Sequence, residues 1–254
     1  EVILMGGSLV RLETVAGVAT ITLDSPHNRN ALSRQLVTEL VEAISAVEHD
    51  EQAKIVVLRS ADRVFCSGAD LSEAAEGRMD EGAQALVALQ RTIAASAKPY
   101  VCRLAGPVRA GGLGLVGACD VVVCAEEVTF AFTESRLGLA PAVISLSLLP
   151  RMTSRGAADT FLTGRTFSAN EAAAMGLVTT IVPGADLDDA VARICAELGE
   201  AHPQGLAETK ALLNSSLLAH IDEYGDRVAA QSVRLFGSDA AREAMLAFLS
   251  KPKK

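Results

Sequence analysis

Phe65-Cys66-Ser67-Gly68-Ala69-Asp70-Leu71 and Ala105-Gly106-Pro107-Val108-Arg109-Ala110-Gly111-Gly112-Leu113-Gly114-Leu115 each follow a short apolar run, residues 54–59 and 100–104 respectively. Those runs read as buried strands, so both quoted stretches are loops at strand carboxyl ends. Ligands of open α/β sheets sit beyond such ends. Glycines there let backbone N–H groups come close to a ligand, and a helix starting at about Gly111 aims its positive end at an oxyanion.

Outward from these loops the pattern is regular. Residues 10–15 and 18–23 alternate apolar and polar side chains around Ala16-Gly17, which predicts a hairpin. A turn-rich loop over residues 26–30 leads to a helix from about Arg34 with Ser33 as its cap, and Leu36, Val37, Leu40, Val41 and Ile44 share one face. A helix around residues 83–95 and a strand at residues 120–124 follow. Strands alternating with helices predict parallel pairing through helical crossovers. Further on, Ser168 and Glu171 form a capping box, Gly176 ends that helix, and residues 178–182 read as a strand. Leu187, Ala190, Val191, Ile194, Cys195 and Leu198 form one apolar stripe. From Pro203 onward only helix is expected. The expectation is an α/β core over residues 1–200 with a helical C-terminal extension over residues 201–254.

Composition narrows the function. The 254 residues carry 31 acidic and 23 basic side chains, a formal charge of −8, and half of them are apolar. That excludes a disordered chain, and the acidic balance provides no field for general nucleic-acid binding. Two Tyr, seven Phe and no Trp argue against base-stacking or carbohydrate surfaces. Cys66, Cys102, Cys119, Cys124 and Cys195 lack CxxC spacing, and His27, His49, His202 and His220 lack ligand spacing, so no metal site is expected. Buried, reduced thiols fit a cytoplasmic protein. The longest uncharged stretch, residues 137–150, is too short to span a membrane, and the Glu1–Met5 start does not read as a signal peptide. Gly112-Leu-Gly-Leu-Val-Gly117 spells G-x-G-x-x-G but stands several residues past its strand, without the acidic residue of a dinucleotide site. No G-x-S-x-G or P-loop pattern occurs.

Taken together the two loops resemble those of the crotonase (enoyl-CoA hydratase/isomerase) family. Phe65, Gly68, Asp70 and Leu71 match F-x-x-G-x-D-L. Gly106, Gly111, Gly112, Leu115, Cys119 and Asp120 match much of N-G-x-x-x-G-G-G-x-E-L-x-x-x-C-D. Pro26, Asn30, Ala31 and Leu32, then Phe167, Ser168, Glu171, Gly176, Leu177 and Val178, and finally Ala247, Phe248 and Lys251 follow in family order. The resemblance spans residues 10 to 251.

This resemblance implies a crotonase-like spiral of repeated ββα units whose C-terminal helices form a homotrimer, or a hexamer built as a dimer of trimers. It implies an acyl-CoA substrate, no separate cofactor and an enolate-like thioester intermediate. The N–H groups of Ala69 and Gly111 fall at the positions of its oxyanion hole. Asn30, Ala31, Ser67, Gly68, Asp70 and Leu71 fall along the coenzyme A path, with Phe248 and Lys251 at its nucleotide end. Hydratases of the family use two glutamates. Glu134, in Thr133-Glu-Ser-Arg-Leu-Gly138, matches one of them, but Gly114 stands where the other belongs.

Hydration needs water activated at C3 and a proton delivered at C2, whereas shifting a double bond needs one base. Isomerisation alone, or acyl-CoA binding without chemistry, are the alternatives to hydration. Glu73 and Glu76 on the following loop, Arg109 near Gly111, and Cys66 are the further candidates. Of these, Cys66 lacks a histidine partner.

Overall fold

The computed structural model describes residues 7–61, 63–74 and 79–250. The N-terminal hairpin forms as the alternation predicts. β1 (Val10–Val15) pairs antiparallel with β2 (Val18–Leu23), and the turn residues Ala16 and Gly17 both take positive φ, 49° and 84°. That is the left-handed geometry a two-residue hairpin turn requires. Next comes α1 (Arg34–His49), capped by Ser33 Oγ, which accepts from the Leu36 amide at 3.3 Å. Then follow β3 (Ile55–Ser60), α2 (Leu71–Ala74), α3 (Met79–Ala95), β4 (Tyr100–Leu104), β5 (Val108–Arg109) and α4 (Gly112–Ala118). The middle of the chain holds β6 (Val121–Ala125), β7 (Thr129–Ala131), α5 (Ser145–Leu148), α6 (Ser154–Thr163), β8 (Thr166–Ser168) and α7 (Ala169–Ala174). β9 (Thr180–Val182), α8 (Leu187–Glu200), α9 (Pro203–Phe236) and α10 (Asp239–Leu249) complete the order.

Six strands make one sheet in the order β1-β2-β3-β4-β6-β9, with every pair after the hairpin parallel. Parallel strands are covered on both faces, so β3, β4 and β6 are nearly continuous apolar runs with Val56, Val101, Cys102 and Val123 fully buried. The helix α1 lies on the face of β1 and β2, while α8 packs on β3, β4 and β6. A second sheet, β5-β7-β8, was not anticipated from sequence. Its strands have two or three residues, too few for a period to show. Its interior is aromatic: Phe130 and Phe132 stack on Phe167 at 5.5 and 5.6 Å, and Phe161 meets Phe132 at 4.4 Å. The strand expected at residues 178–182 begins only at Thr180, because Gly176 turns at φ 89° and Leu177 and Val178 enter the core instead.

The capping box at Ser168 is complete: Glu171 N bonds to Ser168 Oγ, and Glu171 Oε2 accepts from Ser168 N at 2.9 Å. The long α9 lies against α3 and is tied to the sheet by one buried charge. Lys210 Nζ meets Asp120 Oδ2 at 2.7 Å, donates to the carbonyls of Ile93 and Lys98 at 2.8 Å, and sits 4.9 Å from the Tyr100 ring centroid. Asn214, one turn further along α9, donates to Asp120 Oδ1 at 3.1 Å. Burial pulls the Lys210 pKa down, and Asp120 holds it up. A buried pair of this kind stabilises little relative to apolar packing, but breaking it strands a charge at about 3–5 kcal/mol. Asp120→Ala is therefore expected to lower the thermal midpoint by roughly 10 °C. Asp120→Asn combined with Lys210→Met should recover most of that loss in a melting experiment.

Candidate active site

The carboxyl ends of β3 and β4 open onto the two loops quoted at the outset, and a third loop, residues 26–32, lies beside them. Backbone hydrogen bonds join the three: Ser67 N to Arg29 O at 3.1 Å, Leu32 N to Gly68 O at 2.8 Å, Phe65 N to Pro107 O at 3.0 Å, and Arg109 N to Cys66 O at 2.9 Å. The approach is so close that a Cβ on Gly106 would stand 1.7 Å from Arg63 O. Gly68, at φ 96°, faces Ala110, where a Cβ would meet the alanine methyl at 2.9 Å. Glycine is required at both places by this backbone contact.

Two amides are left over from this arrangement. Ala69 N and Gly111 N donate to no acceptor among the described residues. They lie near each other across the cavity floor: a Cβ on Gly111 would stand 3.9 Å from Ala69 N and 2.8 Å from Leu32 Cδ1. A side chain at 111 would press on Leu32 beside the two donors. Fixed, unpartnered N–H pairs of this kind stabilise developing negative charge on a carbonyl oxygen.

Glu134 opens a turn of 3-10 helix, Glu134–Leu137, after β7, and lines the same cavity as Ala69 and Gly111. The residue is partly exposed as a whole, yet its Oε2 is shielded from solvent and has no hydrogen-bond partner. Desolvation pushes its pKa up from 4.5 to about 7, while its own backbone N–H opposes the shift. Arg136, two positions on, donates to Thr163 O at 2.9 Å and forms no ion pair with Glu134. Among the described residues, Glu134 is thus an unneutralised carboxyl group, poised to exchange a proton near neutrality.

The cavity measures about 1810 Å³. Its lining includes apolar Leu32, Leu86, Leu137, Val143 and Ile144 together with Glu134, and also Arg34, Asp70, Glu73 and Phe248. Ser67, Ala69, Asp70, Leu71, Gly111, Glu134 and Phe248 all line it, so seven of the expected residues come together. Asn30, Ala31 and Gly68 do not. The Asn30 side chain is spent on backbone, where Oδ1 accepts from Ser25 N at 2.7 Å and Nδ2 donates across to Val64 O, in the loop after β3, at 2.9 Å. Ala31 is buried beneath that loop. These three residues lie outside the cavity lining. Lys251 and Glu76 lie outside the described residues.

The other candidates have structural duties. Glu73 Oε2 accepts from the first amide of α1, Arg34 N, at 2.8 Å. Arg109 ties β5 to β7 through Thr129 O at 2.6 Å and Thr129 Oγ1 at 2.9 Å. Cys66 is fully buried, which lifts its thiol to about 12 and leaves it inert. Burial acts to raise the Asp70 pKa, but hydrogen bonds from Ser72 and Asn28 outweigh it and hold the carboxyl below its ordinary value.

At Gly114 there is no room for a side chain. A Cβ would meet Ile144 Cγ2 at 2.9 Å and Gln90 Cδ at 3.3 Å. Gln90 is fixed by donating to Leu86 O at 3.2 Å and Val143 O at 3.1 Å, and its Oε1 lies 2.7 Å from Ser147 Oγ. Among the described residues, the atoms nearest that Cβ belong to Ile144 and Gln90 and none to a carboxylate. Sequence reading missed Gln90, Ile144 and Ser147; the last two lie in the uncharged stretch 137–150, while Gln90 carried no signal of its own.

Comparison with known proteins agrees with this geometry. The profile of the enoyl-CoA hydratase/isomerase family matches residues 13–254. A solved enoyl-CoA hydratase from Mycobacterium avium superposes with a TM-score of 0.89 at 44% identity, covering 98% of each chain. Among curated relatives, 4-chlorobenzoyl coenzyme A dehalogenase-2 of an Arthrobacter species is 35% identical over 217 residues, covering 82% of this chain and 79% of that protein. The peroxisomal Delta(3,5)-Delta(2,4)-dienoyl-CoA isomerase of Arabidopsis thaliana is 28% identical, covering 96% of this chain and 94% of its own length. With a family match over nearly the whole chain, the crotonase-like fold and the paired loop amides in place, this chain belongs to the enoyl-CoA hydratase/isomerase family of acyl-CoA enzymes.

Proposed function

We propose that the enzyme moves a proton within an enoyl-CoA thioester, converting a 3-enoyl to a 2-enoyl chain, with Glu134 as the single acid/base. The observation that carries this reading is the lone buried carboxyl oxygen of Glu134, facing the same cavity as two unpartnered amides while Ile144 and Gln90 fill the space beside Gly114. The thioester oxygen accepts hydrogen bonds from Ala69 N–H and Gly111 N–H. Glu134 takes a proton from C2, charge moves onto that oxygen, and the same carboxyl group returns the proton at C4. Each oxyanion donor contributes about 3–4 kcal/mol to such a step. Water addition calls for a second acid/base group at Gly114, and lacking one costs roughly 10²–10⁴ in rate.

The apolar part of the cavity lining suits an acyl chain. Asp70 and Leu71 border the coenzyme A path, with Phe248 at its nucleotide end; the resemblance assigns Lys251 to that same end. The thioester is the substrate, and no separate cofactor takes part. Assembly as a homotrimer or hexamer belongs to the same reading; the exposed Leu212 and Leu213 of α9 support it, and light scattering tests it.

Glu134→Gln is expected to lower kcat for isomerisation by about 10²–10⁴ with little change in acyl-CoA affinity. On one preparation of the unaltered enzyme, 3-enoyl-CoA isomerisation should exceed crotonyl-CoA hydration. Faster hydration overturns the reading, and failure to exchange the α-proton in deuterated water points to a binding protein without chemistry.

Acting as a base, Glu134 must be ionised, so kcat/KM should rise with pH through about 7. Stability should run the other way. Because folding raises this pKa from 4.5 to about 7, the folded chain keeps a proton that the unfolded chain has lost between those values, and stability falls as pH rises across them. Glu134→Gln removes that loss. Its melting temperature should exceed the parent's by several degrees above pH 7 and match it below pH 4.5.

A further inference from the structure

On the sheet face opposite the active site, arginines recur on adjacent strands. Arg11 stands across from Thr22, and Thr22 from Arg59, in the registers of β1–β2 and β2–β3. Continuing the β3–β4 register one step beyond Leu58 and Cys102 sets Arg103 beside Arg59. The two outer arginines are paired: Arg11 with Asp24 at 3.0 Å, and Arg103 with Asp188 of α8 at 2.6 Å. The central one is not. Arg59 forms no ion pair or hydrogen bond among the described residues, and its Nε is shielded from solvent with no acceptor. Desolvation first, then Arg103 and Arg11, disfavour its charge, while the Asp188 carboxylate acts the other way.

Beside Arg59 lies a separate cavity of about 490 Å³ between this face and α8, sharing no lining residue with the active site. Its charged lining is Lys54, Arg59, Arg103 and Asp188, three cations against one carboxylate, in a protein whose net charge is −8. Asp188 is 73% exposed and Arg103 11%, so the carboxylate can swing into solvent while the guanidinium stays. Val57 and Val191 supply an apolar side. A guanidinium nitrogen that is neither paired nor hydrated is costly, as Arg59 Nε is here, and two guanidiniums side by side present planar donor forks matched to an oxyanion.

We infer that this cavity is a second binding site, for a small molecule bearing a phosphate or carboxylate group held between Arg59 and Arg103 and displacing Asp188. The inference is independent of the reaction proposed above.

Inorganic phosphate and octanoate, titrated separately by calorimetry in the presence of saturating coenzyme A, test it. At least one should bind. Arg59→Met should weaken that binding tenfold or more, the worth of a charge-assisted hydrogen bond. Asp188→Asn should strengthen it several-fold by releasing Arg103. Tighter binding of phosphate assigns a phosphate ester, and tighter binding of octanoate assigns a carboxylate with an apolar tail. Binding of neither anion, or equal binding by the parent and Arg59→Met, overturns the proposal. Should Arg59→Met fail to fold, Asp188→Asn decides alone: unchanged affinity overturns it.

Discussion

Where residues 63–68 cross residues 105–111, backbone meets backbone with no space for a side chain, and the geometry of the candidate site descends from that contact. Gly106 lies against Arg63 O and Gly68 against Ala110, while bonds such as Phe65 N to Pro107 O and Arg109 N to Cys66 O use up the amides on the inner side. The amides of Ala69 and Gly111 are left to face the cavity. Their positions are thus fixed by backbone held at several points, which is the condition under which donors stabilise charge without reorganising during the reaction. A side chain added at 106 or 68 would spread the loops and move both donors together.

The site's instability is local and its support lies elsewhere. Glu134 Oε2 is buried with nothing to bond, a state that a folded chain keeps only when surrounding structure over-determines it. Part of that support comes from the C-terminal helices. α10 packs against the turn that carries Glu134, where a Cβ on Gly138 would touch Ala240 C at 3.1 Å. α9 is held to α3 and β4 through Lys210, Asp120 and Asn214. A buried ion pair far from the chemistry therefore secures the wall against which the carboxyl group is desolvated.

Much of this was legible in the sequence, and for identifiable reasons. The hairpin around Ala16-Gly17, the Ser33 cap, the apolar stripe of α8 and the Ser168 capping box are local patterns, and each formed as read. The two glycine loops were legible because close backbone approach leaves glycine no substitute. β5, β7 and β8 were not, since three residues carry no period and their pairing is set by the Phe130–Phe132–Phe167 contacts between distant segments. Asn30 was placed along the ligand path by resemblance, but its carboxamide is consumed by Ser25 and Val64, a partnership no spacing reveals. The row of Arg11, Arg59 and Arg103 is invisible until strand register aligns positions some forty residues apart.

Position 114 joins these lines of argument. Two carboxylates sharing a cavity raise each other's proton affinity and titrate as a coupled pair. With Ile144 and Gln90 packed beside Gly114, that coupling is absent, and the Glu134 pKa is displaced by desolvation rather than by a neighbouring charge. The outcome is a carboxyl group whose pKa desolvation lifts to about 7, the property that the proposed role as a base requires. Any change that lets water reach Glu134 also returns its pKa toward 4.5, weakening it as a base. In the proposed reaction, packing at 114 and proton transfer at 134 are joined: Ile144, which lines the same cavity as Glu134, occupies the space beside Gly114 where a second carboxylate would couple to it.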